Sequence, residues 1–200
     1  NATGTINEHR FDGKDFNQTL VHTTAFNGPF RLAVDGNQLL NGKSAIWVAT
    51  QRANSPTTGP NGRLVLLEWD GVSAYNEHDF SARINDLFTQ FSPNDNITIF
   101  QLYIDGNNTI YGVARMLTNF QNYIFRMRYN GGGYTNPANW TMKVVNGGVA
   151  GDADGLGPAA AYDLVRGVFA TDNAADAELW VSSGNPNIMK IRELTYSGGT

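Results

Sequence analysis

The octapeptide Phe30-Arg-Leu-Ala-Val-Asp-Gly-Asn37 recurs 70 positions later as Phe100-Gln-Leu-Tyr-Ile-Asp-Gly-Asn107, with Phe, Leu, a branched residue, Asp, Gly and Asn all in step. Other segments repeat in the same order. Ile46-Trp-Val-Ala-Thr50 matches Ile110-Tyr-Gly-Val-Ala114 and Leu179-Trp-Val-Ser-Ser183. Arg63-Leu-Val-Leu-Leu-Glu-Trp-Asp-Gly71 matches Tyr123-Ile-Phe-Arg-Met-Arg-Tyr-Asn-Gly131, and Ile188-Met-Lys-Ile-Arg-Glu-Leu194 is a looser third copy. A supersecondary unit threaded three times through one chain constrains the fold more than any composition can.

Each matched segment is short, rich in β-branched and aromatic residues, and bounded by Asp-Gly, Asn-Gly or Gly-Gly, the punctuation of strands. Leu32 and Val34 alternate with Arg31 and Ala33, as Leu102 and Ile104 do with Gln101 and Tyr103, which is the two-residue period of a pleated strand. Asp35-Gly36 and Asp105-Gly106 are expected to supply positive-φ turns between the first two strands of a meander. Trp140–Val145 reads as a fourth strand of the second copy. Ser81–Phe88 reads as either a short helix or the fourth strand of the first copy, and Asp152–Ala161 as a loop.

The expected fold is all-β, a single domain over residues 1–200. It is read as a propeller-like array of about three blades of three to four antiparallel strands, at about 20–90, 91–150 and 160–200. A β-sandwich of ten to twelve strands is the alternative. In a propeller, Trp47, Trp69, Trp180, Tyr111 and Tyr129 would be inter-blade packing, since they recur at equivalent strand positions. Closed propellers carry about four to eight blades, so three leave two open faces. Either the propeller continues in a longer chain or neighbouring copies cover the ends. Gly4–Phe11 reads as an orphan outer strand that closes the last blade or pairs with a neighbouring subunit.

Fourteen basic against eighteen acidic residues give a net charge of −4, which argues against nucleic acid as a partner. No run approaches the ~18 apolar residues of a helical membrane span, so none is expected. The absence of cysteine removes disulfides, thiolate metal sites and cysteine nucleophiles together. The 23 Asn and 25 Ser plus Thr would produce about three Asn-x-Ser/Thr sequons by chance. Five occur, at Asn1, Asn17, Asn96, Asn107 and Asn139, all with threonine. Together with only four lysines and a first residue other than methionine, they give the expectation of a secreted or cell-surface glycoprotein, its export signal already removed.

Chemistry has few candidates. His9, His22 and His78 lack metal-ligand spacing, and the acid-flanked Glu77-His78-Asp79 is expected in a solvated loop. There is no Gly-x-Ser-x-Gly elbow or phosphate loop, and Gly131-Gly132-Gly133 reads as a turn. Asp152-Ala-Asp154-Gly-Leu-Gly157 resembles the start of a calcium loop, with Asp163 in the place of its closing glutamate. Asp152, Asp154 and Asp163 are therefore the metal candidates, and calcium the one cofactor weighed. Asp105, Asn107 and Asn108 around Gly106 are better explained as a turn. No catalytic residue is assigned.

The Ile-Trp-Val-Ala and Leu-Val-Leu-Leu strands, and above all Leu164-Val-Arg-Gly-Val-Phe169 before Glu178-Leu-Trp-Val181, resemble the propeller domains of secreted bacterial proteins that carry a PEP-CTERM sorting tag. The resemblance implies an exported surface or matrix protein and assigns no catalytic residue. Three functions are expected in descending order: a non-catalytic structural or adhesive module that self-associates or binds a surface partner; a carbohydrate-binding propeller with Tyr103, Tyr134 and Trp140 as contacts; and a metal-dependent hydrolase or lactonase.

Overall fold

A computed structural model describes residues 3–11, 16–27, 29–40, 43–50, 63–70, 72, 74–91, 97–117, 119–149, 151, 153–155, 160–171, 178–185 and 188–195, with side chains described outside residues 3–30, 35–44, 50, 185, 188 and 195. Among the described residues the chain is all-β with one short α-helix. A hairpin of β1 (Thr3–Phe11) and β2 (Phe16–Asn27) comes first. Three antiparallel meanders follow. The first sheet is β3 (Pro29–Leu40), β4 (Lys43–Thr50), β5 (Arg63–Trp69) and β6 (Tyr75–Asp79). The second is β7 (Ile97–Ile104), β8 (Thr109–Met116), β9 (Asn122–Tyr129) and β10 (Trp140–Gly147). The third is β11 (Val165–Ala170), β12 (Glu178–Asn185) and β13 (Ile188–Thr195).

The repeated segments thus become equivalent strands of successive sheets. Several local expectations change. Gly4–Phe11 is paired with β2 inside its own hairpin rather than standing as an orphan strand, and the first meander starts at Pro29. The helix is α1 (Ser81–Thr89), while the fourth strand of the first sheet is β6. Glu77-His78-Asp79 therefore lies on a strand, not in a loop. There His78 Nε2 is 2.9 Å from Glu68 Oε2 and Arg63 pairs with Glu77. In the first copy Asp35-Gly36 stays inside β3. In the second, Asn108 rather than Gly106 takes the left-handed conformation, with φ 62°. The buried Asp105 carboxylate accepts the amides of Asn107 and Thr109 at 2.9 and 2.8 Å, an Asx turn.

The second sheet lies between the other two. Leu64, Leu66 and Trp47 of the first sheet share a core with Ile97, Ile99, Ile110, Phe125 and Met127 of the second. Tyr111, Val113 and Ile124 face the opposite way, against Val165, Val168, Leu179 and Val181 of the third. Because both faces of the second sheet are covered, β8 is buried almost continuously instead of alternating. At roughly 1.5–3 kcal/mol for each large apolar side chain buried, these two layers supply most of the driving force for stacking. Helix α1 closes the first layer by turning Ile84, Leu87 and Phe88 inward, on the i, i+3, i+4 spacing of one helix face. Asp79 Oδ1 accepts the Ser81 amide at 2.7 Å and holds the helix start.

Gly147 has φ 96°, and a Cβ there would stand 2.3 Å from the Asn122 carbonyl oxygen. This close approach ends β10. Among the described residues no helix is long and apolar enough to cross a membrane.

Candidate interaction faces

Opposite residues on paired antiparallel strands point to the same face, so the three pairing registers can be read across each sheet and compared. Ala33, Trp47 and Leu66 form one row of the first sheet. Tyr103, Tyr111 and Arg126 form the matching row of the second, and Phe169, Trp180 and Glu193 that of the third. The next rows on the same face are Arg31, Ala49, Leu64, then Gln101, Val113, Ile124, then Gly167, Ser182, Ile191. We call this the forward face. In the first sheet its apolar residues enter the core shared with the second sheet, and in the second sheet they enter the core shared with the third.

Among the described residues no further sheet covers the forward face of the third sheet. Phe169 is 51% exposed, Trp180 39% and Ile191 76%, and Met189 is exposed beside them. Their equivalents Leu64 and Ile124 are fully buried. The Phe169 ring also packs 4.8 Å from that of Tyr103, at the edge where β11 meets β7. Trp180 is therefore not inter-sheet packing within this chain, which corrects the expectation drawn from its repeat position. Trp47 and Tyr111 do pack between sheets as expected.

The rear face repeats with equal fidelity. Leu102 and Phe125 lie opposite Gly112 in the second sheet, and Val168 and Arg192 opposite Val181 in the third. The corresponding row of the first sheet is Leu32, Val48, Val65, and the next is Val34, Ile46, Leu67. Val48, Val65 and Leu67 are buried within the chain, but Leu32 and Val34 on β3 remain 50% and 61% exposed. Leu102 and Val168, the counterparts of Leu32, are buried, while of the counterparts of Val34 Ala170 is buried and Ile104 partly so. Inside the chain the sheet-to-sheet contacts run through the leading strands, β3 and β4 on β7, and β11 on β7 and β8. The end-face apolar residues lie on β3 of the first sheet and on β11, β12 and β13 of the third.

Two of the three expected carbohydrate contacts are core residues. Trp140 is fully buried and Tyr134 nearly so, in an aromatic cluster with Trp47 and Phe80. Trp140 Nε1 donates to the Tyr134 carbonyl at 2.9 Å, and Trp47 Nε1 donates to the Tyr134 hydroxyl at 3.4 Å. Burial withdraws both rings from any sugar. Tyr103 is partly buried, with its ring against that of Phe169. The calcium candidates are also dispersed in role. Asp154 is exposed and pairs with Arg192 Nε at 2.8 Å. Asp163 offers its backbone carbonyl to Asn122 Nδ2 at 3.0 Å, and Asp152 lies outside the described residues. Among the described residues no three acidic or histidine side chains gather as a metal site.

Of the sequons, Asn107 is exposed in the Asx turn. Asn139 Nδ2 donates to the Gly133 carbonyl at 2.9 Å. Asn17 is on β2 with its side chain outside the described residues, and Asn1 and Asn96 lie outside them altogether.

Sequence inspection missed a hollow of about 290 Å³ beside β13, lined by Asp154, Ala160, Tyr162, Arg192 and Leu194 among others. Among the described residues the buried Tyr162 hydroxyl there meets no hydrogen-bond partner, and burial pushes its pKa up from 10.0 to about 12. Arg192 lies 5.5 Å from the ring centroid and also donates to Ser183 Oγ. No periodicity or motif marks this group, because it is assembled from two segments far apart in sequence.

A scan of family models gives no match to the chain, and searches of curated proteins and of solved structures give none either.

Proposed function

We propose that this chain is a non-catalytic structural or adhesive module of an extracellular assembly, a propeller-type array of three sheets that acts through its surfaces. The observation that carries the proposal is the forward face of the third sheet, where the apolar Phe169, Trp180, Met189 and Ile191 stand exposed alongside Glu193. Exposed apolar residues gathered on one sheet face mark interaction surfaces more often than solvated ones. The propeller arrangement is supported by the contacts of the leading strands, since β7 meets β3 on one side and β11 on the other. Leading strands that neighbour one another are what radial blades produce. The extracellular setting rests on the five sequons and the scarcity of lysine.

The test is sedimentation velocity of the purified chain across a wide concentration range. Concentration-dependent species heavier than 21.8 kDa are expected. A monomer throughout, together with silence against extracellular-matrix extracts, overturns the reading.

A second reading, carbohydrate binding, is favoured by one feature: Tyr103, Phe169 and Trp180 form a partly exposed aromatic group, and aromatic faces stack on sugar rings. It predicts quenching or a blue shift of Trp180 fluorescence on titration with oligosaccharides. Unchanged emission across a glycan panel removes it.

A further inference from the structure

We infer that the hollow beside β13 is a binding site for one neutral sugar unit, a hexose ring held by its hydroxyl groups between Asp154, Tyr162 and Arg192. The site is separate from the exposed aromatic group of the third sheet, and the inference does not rest on the assembly reading.

The hollow has walls from two parts of the chain. Asp154, Ala160 and Tyr162 belong to the segment before β11, and Arg192, Glu193 and Leu194 to β13. Its volume of about 290 Å³ lies at the small end of ligand pockets, which run from about 300 to 1,000 Å³. That suits one ring rather than a chain of them.

Its polar groups match hydroxyls. Tyr162 is 1% exposed, and among the described residues its own hydroxyl meets no hydrogen-bond partner. A buried hydroxyl left so is costly, and a ligand that supplies the partner removes the penalty. Both Arg192 and Asp154 act electrostatically on this hydroxyl, which places it on the side of the hollow. Burial keeps it protonated far above neutral pH, so it has one hydrogen bond to donate and others to accept.

Arg192 is held in place by the protein itself. Its side chain is 9% exposed, Nε donates to Asp154 Oδ1 at 2.8 Å, Nη1 donates to Ser183 Oγ, and the guanidinium stands 5.5 Å from the Tyr162 ring centroid. Asp154, by contrast, is 89% exposed, so its carboxylate keeps acceptor capacity to spare. A carboxylate and a guanidinium in contact offer adjacent acceptors and donors. Neighbouring hydroxyls on a sugar ring match that pattern, because each both donates and accepts. Ala160 and Leu194 add an apolar side for the ring carbons.

Charge decides against other small ligands. Asp154 and the exposed Glu193 set two negative charges against the one positive charge of Arg192, so a further carboxylate or phosphate is repelled. A cation would have to approach the largely buried Arg192.

Isothermal titration of the full chain with glucose, galactose and mannose, each alongside its uronic acid and amino sugar, is the test. At least one neutral hexose is expected to bind, and its charged counterparts to bind about tenfold more weakly or worse. Tyr162→Phe and Asp154→Asn are then compared with wild type. Tyr162→Phe removes only a hydroxyl without a described partner and Asp154 stands at the surface, so both variants are expected to keep the wild-type circular dichroism. Each is expected to weaken hexose binding about tenfold. No binding of any neutral hexose at about 50 mM overturns the inference, and so does a preference for the uronic acid. Binding that both variants retain belongs elsewhere on the molecule and overturns it too. A chain that self-associates yet binds no hexose keeps the assembly reading and loses this site.

Discussion

Trp47 and Trp180 occupy the same step of the repeat, on the second strand of the first and third sheets. Trp47 is fully buried against Phe80 and Trp140, at ring-centroid distances of 4.7 and 5.2 Å. Trp180, which no described sheet covers, is left 39% exposed. One sequence position has opposite physical consequences, and the difference is measurable. Trp47→Ala is expected to destabilise the monomer by about 3–5 kcal/mol, the range for deleting a buried large aromatic. Trp180→Ala should change monomer stability by no more than about 1 kcal/mol. Urea titrations of both variants at low protein concentration make the comparison; equal losses would refute it.

Gly112 sits opposite Phe125 in the second sheet, and a Cβ at Gly112 would fall 2.2 Å from Phe125 Cζ. That ring is itself sealed between Phe88 and the first-sheet core, so it has little room to yield. Gly112→Ala should cost about 1–3 kcal/mol, as overpacking of a dense core does. The double change Gly112→Ala, Phe125→Leu should recover part of that loss. A wild-type denaturation midpoint for the single variant would show that the ring moves freely.

Asn122 ties β9 of the second sheet to the segment that leads into the third through one amide. Its Nδ2 donates to the carbonyls of Tyr162 and Asp163 at 3.1 and 3.0 Å from a fully buried position. Asn122→Ala leaves these carbonyls without that donor, at a cost of about 1–3 kcal/mol. Hydrogen exchange should accelerate first in residues 160–171. Uniform acceleration across all three sheets would contradict this local role.

Tyr162 makes stability depend on alkaline pH. Burial raises its folded pKa to about 12, against 10.0 for the unperturbed group. Above pH 10 the unfolded state loses this proton while the folded state keeps it. The stabilisation is therefore complete below pH 10 and is lost as pH rises from 10 through 12. Tyr162→Phe should remove this contribution to the decline. It should be neutral or stabilising at pH 7, because it deletes a buried hydroxyl that meets no partner among the described residues. Melting curves of both proteins from pH 8 to about 12 test the sign; a steeper alkaline loss in the variant would reverse it.

The order of strands was legible in the chain because strand segments announce themselves by composition, alternation and punctuation, all local properties. The matched runs beginning at Ile46, Ile110 and Leu179 became β4, β8 and β12. Burial was less legible. Tyr134 and Trp140 stand in less repeated segments and read as surface aromatics, yet they are core because Trp47 of another sheet packs on them. The hollow beside Tyr162 and Arg192 gave no signal, since its walls come from segments about thirty residues apart.

By itself the sequence determined that one meander would be built three times, because pleated alternation and turn residues act between near neighbours in the chain. Only the tertiary structure decided which face of each sheet is forward, which residues at equivalent positions are sealed, and which are left in solvent. That decision depends on whether another sheet lies across the face, and the next sheet is a long-range neighbour that no local pattern encodes.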